Sequence, residues 1–332
     1  MTAQSSEGTR RRAANVEAAQ PDLVASVEAG GTKFVCAIGS GPDDVRATTS
    51  FATTSPEESL GQAVAFIQGH RRTGLEVAAV GIACFGPLDL REESPTYGHI
   101  TSTPKPGWGD TDVVAPFTNA FEVPVGLDTD VNGAALAESQ WGAGQGLDPV
   151  VYVTVGTGIG GGAMVDGGLL HGLVHPEMGH VPVRRHPDDP FEGVCPYHGD
   201  CLEGLASGPA IEARWHRVAR DLGPERDNAV ALEAWYLAQL ASTLAYVLSP
   251  ELIIFGGGVL KLPGLLAAIR AETATLLNGY LGTAVAREHI DQYIVAPELG
   301  DRAGVLGGIA LAQRVIRGTG RSQMGHVPVQ DP

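Results

Sequence analysis

The sequence predicts an α/β chain of two similar lobes with a cleft between them, and three observations carry that prediction. Of the 332 residues 43% are apolar, enough to bury one or two well-packed cores. Glycine is abundant at 45 residues while charged residues make up only 18%, a balance that suits strands and helices joined by many tight turns. The chain also carries a weak internal duplication. Leu23–Gly39 (LVASVEAGGTKFVCAIG) reads as strand, glycine turn, strand, because β-branched runs flank the glycines, and Val150–Val165 (VVYVTVGTGIGGGAMV) repeats the design in the second half.

Each hairpin is followed by a buried strand running into glycine, Val80–Pro87 in the first half and Leu252–Val259 in the second. Helical spacing of apolar residues predicts helices over Pro56–Gly69, Val131–Gly142 and Asn228–Leu248. Ser207-Gly-Pro reads as the capped start of a further helix over Ala210–Leu222. Gly300–Arg317 reads as a glycine-rich entry into a final one. No long Pro/Ser linker divides the chain, so the lobes are expected to be closely coupled.

Composition narrows the partners. A net charge of -16 argues against nucleic acid, yet leaves room for a nucleotide whose phosphates are held locally by backbone amides and Mg²⁺. No apolar run is long enough to span a bilayer, and the first residues lack the apolar stretch of a secretory signal. Four cysteines in such a chain read as reduced, hence a cytoplasmic expectation, with Cys36 and Cys84 as plain core residues. The ends of the chain, including the Arg10–Arg12 cluster, read as solvated tails.

A glycine-rich hairpin turn lets several N–H groups converge on an anion, since no Cβ blocks the approach. Glu28-Ala-Gly30-Gly31-Thr32-Lys33 adds a carboxylate, a hydroxyl and an ammonium to such a turn. Lys33 is suited to phosphate charge and Glu28 to orienting Mg²⁺ through water. The second cradle is Gly156-Thr157-Gly158-Ile159-Gly160-Gly161-Gly162. Either alone reads equally well as a tight hairpin turn; two in matching positions favour a polyphosphate gripped from both sides. The spacing Gly156-x-Gly158-x-x-Gly161 also satisfies a dinucleotide-binding pattern, but that pattern needs a helix next, and AMVDGGLL reads as a return strand. There is no GxxxxGK[ST] P-loop.

Val125–Glu138 (VGLDTDVNGAALAE) reads as a strand delivering acidic residues to a helix N-terminus. Asp128 and Asp130 are both candidates for the carboxylate that accepts a hydroxyl proton in phosphoryl transfer, and Asn132 for hydrogen bonds to a sugar. Asp130 reads equally as a helix N-cap. Further on, Cys195, His198 and Cys201 fall within seven residues, with His180 upstream. Two thiolates and two imidazoles make a tetrahedral Zn²⁺ set, closed and therefore structural. The plainer alternative is a surface loop with scattered Cys and His.

On these residues the chain resembles the ROK family, and within it the bacterial fructokinases. Glu28–Lys33, Gly156–Gly162 and Ile254–Val259, with Gly256, Gly257 and Gly258, look like the two phosphate segments and the adenosine segment of the superfamily that joins sugar kinases with actin and the heat-shock ATPases. The resemblance runs from residue 23 to 317. It implies two lobes of ribonuclease-H-like topology with ATP in the cleft, spanning 23–126 (completed by a helix over 302–317) and 127–301, between tails at 1–22 and 318–332. The family commonly has Asp where this chain has Glu28. Asp130-Val-Asn132 looks like the family's Asn-Asp-x-Asn pattern, which implies Asp130 as the base and Asp128 as support, with Thr129 in place of the first Asn. Glu177-Met-Gly-His180 looks like the motif whose His serves zinc, and the Cys–His–Cys set and Thr103–Trp108 resemble the fructokinase subgroup. The resemblance thus implies sugar contacts at Glu177, His180, Glu203 and Gly107, phosphorylation of fructose by ATP, and a homodimer. Only about 22 residues precede the first strand, too few for the helix-turn-helix of the family's repressors.

Overall fold

The protein is described by a computed structural model covering residues 22–283 and 288–319. The expected tails, apart from Asp22 and residues 318–319, lie outside the described residues.

Strands β1 (Val24–Ala29), β2 (Lys33–Gly41) and β3 (Asp44–Ala52) form an antiparallel meander, with Val24 opposite Gly39 and Ala29 opposite Phe34. Strands β4 (Val80–Cys84) and β7 (Val125–Thr129) then add in parallel, giving the order β3-β2-β1-β4-β7. A small ribbon of β5 (His99–Ile100) and β6 (Thr111–Asp112) lies between β4 and β7 in the chain. The second half repeats the plan. β8 (Val150–Val155), β9 (Ile159–Val165) and β10 (Gly168–Leu169) form the meander, and β11 (Leu252–Gly256) and β12 (Ile294–Val295) add in parallel, in the order β10-β9-β8-β11-β12. The duplication legible in two hairpins is therefore complete, extending to the third strands. The chain after β9 turns back as β10, so the helix a dinucleotide motif needs is absent there.

Residues along a strand alternate between faces, so each sheet supplies two cores. Ala25, Val27 and Ala29 of β1 pack outward against Leu60, Ala63 and Ile67 of α1 (Pro56–Arg71) and Phe117 of α2 (Ala115–Ala120). Val151, Val153 and Val155 of β8 do the same against Leu237, Leu240 and Leu244 of α6 (Arg226–Val247), with α7 (Leu265–Leu277) beside it. The inward faces share a third core. There Val24, Val150 and Tyr152 meet Ala134–Ala137 of α3 (Asp130–Trp141) and Leu306, Ile309 and Ala310 of the final helix, α9 (Ala303–Thr319). Helix α9 lies on the first sheet, α3 on the second, and the two pack on one another.

Their crossing is close because it is made by backbone. A Cβ placed on Gly307 lies 2.5 Å from the Gly133 carbonyl carbon and 2.6 Å from its oxygen. Short helices α4 (Leu202–Ala206) and α5 (Gly208–Trp215) follow the cysteine loop, and α8 (Ile290–Tyr293) precedes β12. Helix α5 stops well short of the expected Leu222. His216 turns into the left-handed region at φ 53°, and of residues 216–222 only Leu222 is buried, too little apolar area to hold further helical turns. Strand β7 pairs with the first sheet as far as Thr129, three residues beyond the expected lobe division at 126/127, while α9 carries the helix expected over 302–317 to Thr319. Cys36 and Cys84 are fully buried core residues, as expected.

Because backbone atoms cannot move aside as a flexible side chain does, Gly307→Ala should cost about 3 kcal/mol by overpacking, measured by urea unfolding against the parent.

Candidate active site

The ends of β1 and β8 turn tightly before returning, and both turns sit at the same edge of their sheets. In the first, Gly30 N–H donates to Lys33 O at 3.0 Å, and in the second, Gly156 N–H donates to Gly158 O at 2.8 Å. Across the cleft the Thr32 and Thr157 hydroxyls stand 3.4 Å apart, so the two cradles face each other. Gly256 ends β11, Gly257 and Gly258 follow it, and Gly257 lines the cavity between the lobes. Gly160 departs from its expected role in the turn. It lies within β9 opposite Thr154, where a Cβ would press on Val131 at 3.0 Å, and the neighbouring Gly162 would press on the Val131 carbonyl. The glycine run thus serves two ends: its first part opens the turn and its second part admits α3.

Glu28 and Asp130 line one cavity of about 150 Å³ together with Tyr152, Thr154, Gly257, Asp301 and Gly304. Burial pushes the Glu28 carboxyl up to about 7, with the Asp130 and Asp301 charges adding and Lys33 opposing. Burial likewise lifts Asp130 to about 6, against the Val131 N–H that donates to it at 2.9 Å. Asp301 and Tyr152 were not singled out in the sequence. Asp301 was visible only as part of a glycine-rich helix entry, and Tyr152 as one strand residue among apolar ones.

Asp130 is not the cap of α3. Thr129 is: its hydroxyl accepts from Asn132 N–H at 3.1 Å, which leaves the Asp130 carboxylate at the first helical position and on the cavity. Asp128 and Asn132, expected to touch or support a sugar, are buried and committed elsewhere. One Asp128 oxygen accepts from Thr129 N–H and from Asn132 Nδ2, each at 2.8 Å, and the other lies 2.9 Å from His171 Nε2. The Asn132 oxygen accepts from Ala163 N–H at 3.3 Å. These two side chains hold β7, α3 and β9 in register. His171 was missed because a lone histidine after a glycine turn carries no periodic signal.

The remaining ligand candidates gather around the cysteine loop. The Nδ1 atoms of His180 and His198 and the sulfurs of Cys195 and Cys201 all lie within 4.8 Å of one another. The N to S separations of 3.5–3.8 Å match the edge of about 3.6 Å that a tetrahedron with Zn–S and Zn–N bonds of about 2.3 and 2.0 Å requires. Burial pushes the Cys201 thiol up to about 11, so that a cation is what would make it a thiolate. His180 turns its other nitrogen toward Glu203 at 3.9 Å, and Glu203 in turn accepts from Ile159 N–H at 2.9 Å, tying the cysteine loop to the second phosphate turn. Glu177 nearby keeps an exposed edge, yet desolvation by the surrounding protein and the Glu203 and Asp130 charges raise it to about 7. Gly107 is exposed, at φ 79°, ahead of the fully buried Trp108, whose indole donates to Thr54 O at 2.8 Å.

The chain is similar to known proteins over most of its length. The ROK family model matches residues 24–315. A fructokinase of Zymomonas mobilis is 51% identical over 86% of this chain and 95% of its own length. Among solved structures, the ROK hexokinase of Thermus thermophilus superposes with a TM-score of 0.73 at 27% identity, covering 89% of this chain and 99% of that one. A ROK family glucokinase of Streptomyces griseus, in complex with glucose and AMPPNP, does so at 0.70 and 26%, covering 88% and 99%. With a family model matched over nearly all of its described residues, the chain belongs to the ROK family.

Proposed function

We propose that the protein transfers the γ-phosphoryl group of ATP to D-fructose, giving ADP and fructose 6-phosphate. The observation that carries this reading is the cavity in which Asp130, Glu28 and Gly257 meet, between turns that face each other at the Thr32 and Thr157 hydroxyls. Phosphoryl transfer asks for alignment, charge neutralisation and one proton acceptor, and these residues offer each. Asp130 is the base: it takes the proton of the primary hydroxyl as that oxygen attacks phosphorus. The amides of Gly30–Thr32 and Gly156–Gly158 receive phosphate oxygens, with Lys33 adding positive charge. Glu28 faces the Mg²⁺ that enters with ATP, and the carboxylates on the cavity suit a hard dication.

Glu177, His180 and Glu203 hold the sugar hydroxyls. His180 Nδ1, His198, Cys195 and Cys201 hold a structural Zn²⁺, which fixes the loop that carries them. Rigid carboxylates favour discrimination between hexoses, since hydroxyl recognition depends on hydrogen-bond geometry. Fructose is favoured over glucose because the Zymomonas mobilis fructokinase is 51% identical and the Streptomyces griseus glucokinase 26%. The enzyme works in the cytoplasm as a homodimer whose lobes, 23–126 with α9 and 127–301, close over the substrates.

A coupled assay over a panel of hexoses should give fructose the highest kcat/KM; a preference for glucose would overturn the substrate assignment. Asp130→Asn should lower kcat about a hundred- to ten-thousandfold, the range for a general base, while leaving the circular dichroism spectrum intact. The base works only when ionised, so a carboxyl lifted to about 6 loses activity as pH falls through that value and reaches a plateau above it, which a pH profile of kcat/KM reads. Metal analysis of purified protein should find about one zinc per chain, and Cys201→Ser should lower both zinc content and melting temperature.

A further inference from the structure

His175 belongs to no ligand set described above, yet it is buried at 5% exposure and spans the two lobes. Its Nε2 accepts from Leu88 N–H at 2.9 Å, and Leu88 lies just beyond β4 of the first sheet. An imidazole that accepts at Nε2 carries its proton on Nδ1. That Nδ1–H faces the Glu177 carboxylate at 3.5 Å and the Pro176 carbonyl at the same distance. Burial holds the ring below its ordinary pKa, which favours this neutral tautomer.

The fit around the ring is close. A Cβ on Gly86 would sit 3.1 Å from His175 Cε1 and 3.2 Å from Nε2, so the turn after β4 is shaped to receive the imidazole. The neighbouring Phe85 N–H donates to Ala29 O at 2.8 Å, which fastens that turn to the end of β1, where the first phosphate cradle begins. A continuous path runs from the cradle through Phe85–Leu88 and the imidazole to Glu177. The same loop is held a second time by His171, whose Nε2 lies 2.9 Å from Asp128 of β7.

We propose that His175 is a positioning residue for Glu177, setting that carboxylate at a fixed place relative to the first lobe's phosphate turn. The inference rests on Glu177 being a sugar ligand. The imidazole does two separable things: Nε2 anchors the ring to the first lobe, and Nδ1–H orients the carboxylate.

The two nitrogens can be tested apart. In His175→Gln the amide oxygen reaches the place of Nε2 and still accepts from Leu88, while the donor opposite Glu177 is lost. This variant should keep its melting temperature within a degree or two, raise the KM for fructose about tenfold, as loss of one hydrogen bond to a charged group implies, and leave the KM for ATP within twofold. Glu177→Gln and the double variant complete a cycle. If His175 acts through Glu177, His175→Gln adds nothing in the Glu177→Gln background. An unchanged fructose KM in His175→Gln, with Glu177→Gln impaired, would overturn the positioning role and leave the sugar site standing. Full additivity of the two changes, or an effect of His175→Gln where Glu177→Gln has none, would overturn it too; the latter also removes Glu177 from the sugar site. His175→Phe, which loses both nitrogens, should lower the melting temperature as well, because Leu88 N–H is left buried without an acceptor.

Discussion

Where α3 crosses α9, Gly133 and Gly307 leave no side chain between two backbones, and the helices approach until main-chain atoms touch. Each helix belongs to a different lobe, so their separation sets the separation of the lobes. Each also brings its N-terminal turn to the same cavity: Asp130 and Val131 from α3, Ala303 and Gly304 from α9. Gly304 in turn backs directly on the Glu28 carboxylate, which a Cβ there would have to displace. A carboxylate at the start of α3 sits in the favourable field of the helix N-terminus, which offsets part of the cost of burying it. The placement of the Asp130 carboxylate is therefore a consequence of how closely two helices can pack, and only glycine allows this closeness.

A second layer of order comes from buried polar groups bonded to one another. Asp128 is buried among donors: a backbone N–H, the Asn132 amide and the His171 ring. Burying a carboxylate is costly unless it is paired and hydrogen-bonded, and here each oxygen has a partner. Because those partners come from β7, α3 and the loop after β10, the network ties three segments at the mouth of the cleft to one another. The Asp189–Arg214–Tyr236 cluster plays the corresponding part deeper in the second lobe, with Tyr236 donating to Asp189 at 2.7 Å and Arg214 at 3.1 Å. Both clusters fasten their flanking segments to one another through hydrogen bonds.

What was legible in the sequence follows from which forces are local. The paired hairpins were readable because glycine turns between β-branched runs are a short-range signal, and the long α6 because its apolar residues recur at helical spacing. The cysteine loop was readable because three of its four donors fall within seven residues. The buried network of Asp128 and Asn132 was not legible for a physical reason: which neighbours a polar side chain meets is fixed by segments distant in the chain, such as Ala163 and His171. Strands β3 and β10 and the role of His175 stayed hidden for the same reason. Their partners, β2, β9 and Leu88, matter through space, and nothing in the local pattern distinguishes them from ordinary loop and surface residues.

The charge of the site explains how a chain of net -16 handles a polyanion. Three carboxylates, Glu28, Asp130 and Asp301, share one small cavity, and two of them are lifted to about 7 and about 6. Asp301 is exposed and pairs with Lys261 at 2.7 Å, while the buried Glu28 carboxyl feels the Asp130 and Asp301 charges in addition to its own burial. An acidic cavity of this kind repels bare phosphate and accepts it in company with positive charge, while backbone amides at the facing turns meet the phosphate oxygens without adding net charge. Positive charge arriving beside Glu28 acts on the buried carboxyls in the sense opposite to burial, lowering their proton affinity. The same arrangement that disfavours an unaccompanied phosphate thus favours the ionised form of Asp130 when positive charge is present, so that in the proposed reaction binding and proton acceptance would draw on one electrostatic source.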